Sequence, residues 1–406
     1  MKISAVRSWR RFEFLLMHIL LLRHYPLPEG PSMRAFAEQI ADGLRSRGHT
    51  LQQLTAPVRL GRLAGRHRVL AKWLGYLDQF VLFPPLLWWR ARTLPPGTLC
   101  VFADQALGPW IPLLKSRPHI VHCHDLLALE AAMQHQPFHR LGRTGRLYQR
   151  WIRRGFRQAR CFLSVSHATS SALAMQLQRQ PLLSAVLHNP LPTRFTPMPA
   201  SEAAAAVDRA LPGLGRQPFL FHIGVNWYKN RLGLLAIWEQ LQILQCPVDL
   251  VLVGAADLAL LEWLQQRPQL QLRIHILDQA SDALVMAFYS QASALLFPSH
   301  AEGFGWPILE ALACGCPVVT TDAAPMTEVG GTAASYIPPY PLQPQAQVDW
   351  ARLGARQVQA VLQRSPAEQQ AVRQQGFDQA HRFEYEDWLD QLEAHYHCAL
   401  ALQEGL

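Results

Sequence analysis

Apolar residues follow two rhythms along the chain. Short continuous runs, bounded by Pro, Gly, Asn or Asp, alternate with longer stretches in which apolar residues return every three or four positions. The first rhythm is that of strands buried on both faces, the second that of helices with one buried stripe, and their alternation predicts doubly wound parallel sheets with right-handed crossovers. In the first half, His18–Leu22, Leu99–Phe102, Ile120–His122, Cys161–Ser166 and Ala185–His188 read as strands. In the second half, Phe219–Ile223, Val248–Val253, Leu270–Ile276, Ala294–Phe297 and Pro317–Thr320 do. Ser32 is placed to cap a helix that ends near Gly48. Between the halves, from Thr193 to Gln217, the composition shifts to Pro and Ala, which suits a linker holding a short helix. The expected organisation is a loose basic tail over 1–16, a first α/β domain over 17–200, a linker over 201–217, a second α/β domain over 218–380, and a terminal helix over 381–406.

Composition narrows this picture. A chain of 406 residues exceeds the size at which single cores stop growing, and 50% apolar with 17% charged residues suits a globular enzyme. The apolar stretch Phe14–Leu22 follows a basic lead but is too short to span a bilayer, and no small-residue cleavage site follows it. Seven cysteines without a C-x-x-C pair argue for a reducing, cytoplasmic setting, with Cys314 and Cys316 as core residues rather than metal ligands.

Charge is distributed unevenly. Residues 1–200 hold 27 Lys+Arg against 8 Asp+Glu, whereas the rest is acidic and the whole chain carries +9. The first half therefore faces something anionic: nucleic acid, anionic lipid or a phosphorylated carrier. No recognised nucleic-acid motif accompanies the arginines, so nucleic acid is not expected as a partner. Residues 59–92 combine arginines with Trp73, Tyr76, Phe80, Phe83, Trp88 and Trp89, a pattern that fits a membrane interface and equally a core helix with a basic lead-in. A second run, Arg140–Arg160, places Arg143, Arg146, Arg150, Arg153, Arg154 and Arg157 at helical spacing. That stripe is either a solvated face or a seat for an acidic membrane surface or phosphorylated acceptor.

Candidate chemistry concentrates in Ser299–Thr321. A buried strand ends at Pro298, a loop holds Glu302, Gly303 and Gly305, Pro307 opens a helix carrying Glu310, and Gly315 can end it in a left-handed cap. Ligands of open parallel sheets bind beyond the carboxyl ends of strands, where helix N-termini offer N–H groups to anions. Two carboxylates beside an anion site make sense as acceptors for sugar hydroxyls, so the stretch reads as a nucleotide-sugar site. Two glutamates eight apart arise often by chance, and a helix with solvated acids is the plain alternative. After Phe219–Ile223 comes GVNWYKNR, with Gly224, Asn226, Lys229, Asn230 and Arg231; Lys229 is the only lysine after Lys115. In the first half, HCHDLLALE sets His124 and Asp125 just past a strand, where a histidine can exchange protons with a hydroxyl. No G-x-G-x-x-G follows the first strand of either half, which counts against a nicotinamide oxidoreductase.

The whole string EGFGWPILEALACGCPVV resembles the donor-site motif of the retaining glycosyltransferases of family four, which have the two-domain GT-B fold. The resemblance implies two Rossmann-like domains facing a central cleft, with the terminal helix crossing back onto the first. It assigns Glu310 to ribose hydroxyls, Glu302 to hydroxyls of the transferred sugar, and Lys229 to the diphosphate. Where the family usually has an arginine after the glycine, this chain has Val225 and Asn226, and Arg231 is the substitute. Gly224, Asn226, Asn230, Gly303, Phe304, Gly305 and Trp306 complete the implied donor site. His124 matches the family's histidine that faces the sugar across the cleft, and Asp125, Gly30 and Ser32 are acceptor-side candidates. Of the family's glycine-rich first loop only Gly30 remains. The implied reaction is sugar transfer from a UDP- or GDP-sugar to a glycan or lipid-linked glycan in cell-surface polysaccharide or lipopolysaccharide synthesis. It needs no metal and no cofactor, and peripheral contact with an anionic membrane is compatible with it. An epimerase or phosphorylase of the same fold, and a non-catalytic basic binder, are the rivals.

Overall fold

A computed structural model of the chain describes residues 16–26, 31–65, 67–133 and 137–403. Expectations for 1–15 and for Gly30 lie outside the described residues. The strands are β1 His18–Leu22, β2 Thr50–Leu54, β3 Leu99–Phe102, β4 His119–Cys123, β5 Cys161–Ser164 and β6 Leu183–Val186 in the first half. In the second half they are β7 Phe219–Ile223, β8 Asp249–Val253, β9 Ile274–Leu277, β10 Ala294–Phe297, β11 Val318–Thr321 and β12 Ala334–Ile337. They form two six-stranded sheets, ordered β2-β1-β3-β4-β5-β6 and β12-β11-β10-β7-β8-β9, with every pairing parallel. Strand order reverses between β1 and β3 in the first sheet and between β7 and β10 in the second. At such a reversal the flanking loops part and leave a crevice at the carboxyl edge.

Each sheet is covered on both faces, which is why its inner strands are mostly apolar rather than alternating. Phe83, Leu87, Trp110 and Phe156 cover one face of the first sheet, and Phe36, Ile40 and Leu44 the other. Phe288, Ile308, Leu309 and Leu312 cover one face of the second, and Leu234, Trp238 and Val358 the other.

Several details depart from the sequence reading. The edge strands β2 and β12 were not anticipated: β2, TLQQL, is half-exposed and polar. Residues Pro268–Arg273 form a tight turn, so β9 begins late. Ser32 lies exposed inside the helix Pro31–Ser46, so it is not that helix's cap. The stretch expected as a linker holds the short helix the composition suggested, and that helix is packed rather than free. Helix Ala200–Ala210 buries Ala203 and Val207 completely in the same core as Phe219 and Phe221, because apolar residues four apart give it one buried face.

The last helix, Tyr385–Ala401, lies on the first sheet, with Trp388, Leu389, Leu392 and Tyr396 packed among Ile19, Leu21, Phe36 and Ile40. Glu393, 4% exposed, accepts from Arg47 Nη1 at 2.9 Å and faces His49 Nε2 at 2.8 Å. The Tyr385 hydroxyl donates to the Gln39 carbonyl at 2.8 Å. Leu392→Ala is expected to cost about 3 kcal/mol through the cavity it leaves, read as a lowered urea midpoint; an unchanged midpoint contradicts this docking.

Candidate functional site

At the reversal in the second sheet, β7 leads into Gly224, whose φ of +112° turns the chain. A β-carbon there would press on the Lys229 stem, with Cε at 3.0 Å, so the glycine leaves room for that side chain to lie across it. Lys229 closes the short turn Trp227–Lys229, and Asn230 follows in left-handed geometry. The Asn230 Oδ1 accepts from the Gly233 N–H at 3.1 Å, capping helix Arg231–Ile243. Its Nδ2 donates to the Pro298 carbonyl at 3.0 Å, so one side chain ties the loops on both sides of the crevice. The Lys229 ammonium lies 2.8 Å from Glu302 Oε1 and over the rings of Phe297 at 4.4 Å and Tyr228 at 5.2 Å. Ser299 donates to the same carboxylate oxygen at 2.8 Å. A nearly buried ammonium is tolerable here because a carboxylate and two aromatic faces replace its water.

Beyond β10 the chain reaches Gly305, φ +106°, and helix Trp306–Ala313 with Pro307 in its first turn. Glu310 is half-buried on this helix and accepts from the Tyr289 hydroxyl at 3.0 Å. Burial raises its carboxyl to about 7, although the Tyr289 bond and Arg194 work in the opposite direction.

The first domain contributes the loop after β4. His124 Nε2 meets the Ala103 carbonyl at 2.9 Å. As an imidazole nitrogen facing a carbonyl it donates, which in the neutral ring leaves Nδ1 as the acceptor. Burial lowers the His124 pKa and so favours that neutral ring, whose edge packs on Phe36 at 4.5 Å between centroids. Burial, then Asp104 and Glu302 among its neighbours, raises Asp125 to about 6. Asp104 pairs with His24 at 2.8 Å; burial opposes its ionisation, yet His24 holds it below the usual carboxylate range.

The two domains meet directly at these loops. A β-carbon on Gly303 would overlap the His124 carbonyl oxygen, so only glycine permits this approach. The Gly303 carbonyl accepts from Ser166 Oγ at 2.8 Å and Thr169 Oγ1 at 3.1 Å, both in the first domain. Glu328, from the second domain, accepts from the N–H groups of His167 at 2.7 Å and Ala168 at 2.9 Å, at the start of helix His167–Gln176. His188 Nε2 stands 3.1 Å from the same carboxylate. Nearby, the ring of Phe138 stacks on His300 at 3.8 Å, and that of His139 on Trp227 at 5.2 Å.

A sequence profile described as Glycosyl transferases group 1 matches residues 217–346, the segment holding Lys229, Glu302 and Glu310. Residues 217–346 thus resemble a group 1 glycosyl transferase domain. The serotype-specific mannosyltransferase WbdA of Escherichia coli is 32% identical over 111 residues, or 27% of this chain and 14% of WbdA. The O-antigen chain mannosyltransferase RfbU of Salmonella typhimurium is 28% identical over 127 residues, or 30% of this chain and 35% of RfbU. The chain thus covers well under two thirds of the length of these relatives. Among solved structures, sucrose-phosphate synthase from Thermosynechococcus elongatus superposes with a TM-score of 0.70 at 18% identity, over 95% of this chain and 99% of that one. HepE from Anabaena, solved with UDP and glucose, gives 0.64 at 18% identity over 93% and 98%. The GT-B fold follows.

Within the transferase domain some sequence-derived assignments need correcting. Arg231 does not face the crevice: Nε donates to the Gly224 carbonyl at 2.9 Å, Nη1 to Ala255 at 2.8 Å and Nη2 to Gly254 at 2.9 Å, so it clamps the switch-point loops. Phe304, 3% exposed, packs between His188, Trp306 and Phe383 and offers no surface to a ligand. Gly303 is small to admit the other domain. Asn226 is exposed and donates to the Tyr228 hydroxyl at 2.8 Å, and Trp306 is half-buried at the start of its helix. Tyr289, Ser166, Thr169 and Glu328 are not among the site residues the sequence suggests. Among the described residues, one group of His and carboxylate side chains has metal-ligand spacing, His167, His188 and Glu328. Its carboxylate already accepts the two N–H groups named above, which marks it as a helix cap.

Two outcomes are expected. Glu328→Ala removes an N-terminal cap and should lower stability by about 1 kcal/mol and raise the radius of gyration by scattering; an unaltered profile contradicts the latch. Because Glu310 is raised from its ordinary 4.5 to about 7, its contribution to stability is full below 4.5 and lost as pH climbs through 7. The stability difference between the protein and its Glu310→Gln variant should decline across that window and stay level above it; a flat difference contradicts the assignment.

Proposed function

We propose that the chain is a retaining glycosyltransferase moving a hexose from a nucleoside diphosphate to a hydroxyl of a glycan or lipid-linked glycan in cell-surface polysaccharide assembly. The observation that carries this reading is the grouping of one ammonium and two carboxylates, Lys229, Glu302 and Glu310, around the reversal between β7 and β10. The profile match over that segment, the mannosyltransferase relatives and the UDP bound by HepE support it.

The roles follow from the chemistry of each group. Lys229, with the N–H groups opening helix Trp306–Ala313, offsets the charge that gathers on the departing diphosphate. Glu310, steadied by Tyr289, accepts from the ribose hydroxyls. Glu302 holds the ammonium in place and puts negative charge beside the oxocarbenium-like centre that develops at the sugar. His124, across the cleft, offers Nδ1 as an acceptor to a hydroxyl of the transferred sugar. The junction at Gly303 keeps water from the reacting bond while the domains are together. Asp125 and the His24–Asp104 pair line the acceptor side. No step here calls on a metal or a further cofactor.

Among the described residues no helix is long and apolar enough to cross a membrane. The proposed setting is the cytoplasm, where a nucleotide-sugar donor and a lipid-linked acceptor at the inner leaflet would both be within reach.

A thermal-shift series over UDP- and GDP-hexoses tests the donor, since a bound ligand stabilises the native state by mass action. At least one donor should raise the melting temperature, and Glu310→Ala should abolish most of that rise. Lys229→Ala and Glu302→Ala should each lower kcat by about a hundredfold, measured as release of nucleoside diphosphate. No shift with any nucleotide sugar, or unchanged kinetics in the variants, would overturn the reading.

A further inference from the structure

The segment between β2 and β3 has an outer face that no other described residue covers. Helices Arg68–Leu77 and Phe83–Thr93, joined by the wide turn Asp78–Leu82, bury Phe83 and Leu87 but leave Trp73, Val81 and Trp89 each more than half exposed. Helix Arg143–Phe156 continues this face. Phe80 packs on Trp151 at 4.6 Å and Tyr76 on Tyr148 at 5.4 Å, so the aromatic surface runs unbroken from one segment to the other. Leu147, 63% exposed, and Trp151 stand one turn apart, and on the helical wheel Arg143, Arg150 and Arg154 flank them on the side away from Tyr148.

The electrostatics of this face are one-sided. The sequence holds no acidic residue between Asp78 and Asp104, and none between Glu130 and Glu202. Asp78 itself is buried and accepts from the N–H groups of Arg59, Leu60 and Gly61 and from the Tyr25 hydroxyl. A broad apolar surface rich in tryptophan, bordered by arginines and with no exposed carboxylate in its own segments 68–93 and 143–156, matches the interfacial zone of a bilayer whose headgroups are anionic. A second copy of the chain fits poorly, because a two-fold pairing would set the same arginines against one another.

We propose that this face seats the first domain on an anionic membrane leaflet. Its position relative to the cleft suits that use. Tyr25, just past β1, holds Asp78 at 2.7 Å, and the Trp110 indole, in the turn after β3, donates to the Gln79 carbonyl at 3.0 Å. Both anchors rise from the carboxyl edge of the first sheet, the edge that borders the cleft. The membrane is thereby held beside the opening through which an acceptor carried on a lipid would enter. The docking stands apart from the transfer reading, since it depends on this face alone; the delivery of a lipid-borne acceptor rests on that reading.

Flotation of the full chain with phosphatidylcholine vesicles, with and without about 30 mol% phosphatidylglycerol, tests the docking without any assay of transfer. The protein should float with the anionic vesicles and not with the neutral ones. Trp73→Ser with Trp151→Ser, and separately Arg143→Glu with Arg150→Glu and Arg154→Glu, should each weaken binding about tenfold or more. The arginine variants change exposed positions, so they keep the test meaningful if the tryptophan pair unfolds. Leu258→Ser with Leu272→Ser, more exposed still but on the second domain, should bind as the parent does. Absence of flotation at low salt, equal flotation with neutral vesicles, or unweakened binding by the arginine variant overturns the proposal. So does a dimer that dissociates on Trp73→Ser while vesicles are ignored.

Discussion

The absence of a side chain at Gly303 is the constraint on which the arrangement of this molecule depends. The backbone of the second domain touches the His124 carbonyl there, and a single added carbon would overlap that oxygen. Two hydroxyls, Ser166 and Thr169, fasten the Gly303 carbonyl, and Glu328 returns the attachment by capping a helix of the first domain. Two parallel sheets would otherwise present their carboxyl edges to water. Held together at this point, they place Glu302 and Lys229 from one sheet opposite His124 and Asp125 from the other.

The crevice is held by groups that do not face it. Arg231 ties down four carbonyls, Asn230 bridges two loops, and Tyr289 reaches Glu310 from within the core. Such supports fix the rotamers of the groups that do face it, and a site so held loses less on meeting a ligand. Lys229 and Glu302 are a case in point. An ammonium with a tenth of its side chain exposed and a carboxylate with less would each be costly alone, and each becomes tolerable through the other.

Much of this was legible in the sequence because burial on both faces leaves a plain signature. β3 and β10 are unbroken apolar runs, β1 and β7 depart from that only at His18 and His222, and all four fall where the pattern put them. β2 escaped because an edge strand needs few apolar residues, and TLQQL offers only two. The segment after Ala200 looked like a linker because alanine and proline dominate it, yet Ala203 and Val207 sit one turn apart and seal the second core. Residue types also misled where their partners are distant. Arg231 carries the charge a diphosphate wants, but the carbonyls it binds are 22 to 24 residues on or seven back. Phe304 stands in a loop full of ligand-type residues, and its partners His188 and Phe383 lie far along the chain on either side. No local pattern could assign either.

The basic first half and the acidic second half now have separate meanings. Arginines gather beside the apolar face of the first domain, whereas Glu302 and Glu310 of the second are the carboxylates that serve the sugar nucleotide in the proposed reaction. On the proposed function, a nucleoside diphosphate hexose binds at the reversal between β7 and β10. A crystal structure of the chain with such a donor tests it most directly. The diphosphate is expected within hydrogen-bonding distance of Lys229 Nζ and the ribose hydroxyls on Glu310. A donor bound elsewhere, with Lys229 and Glu310 untouched, would contradict it.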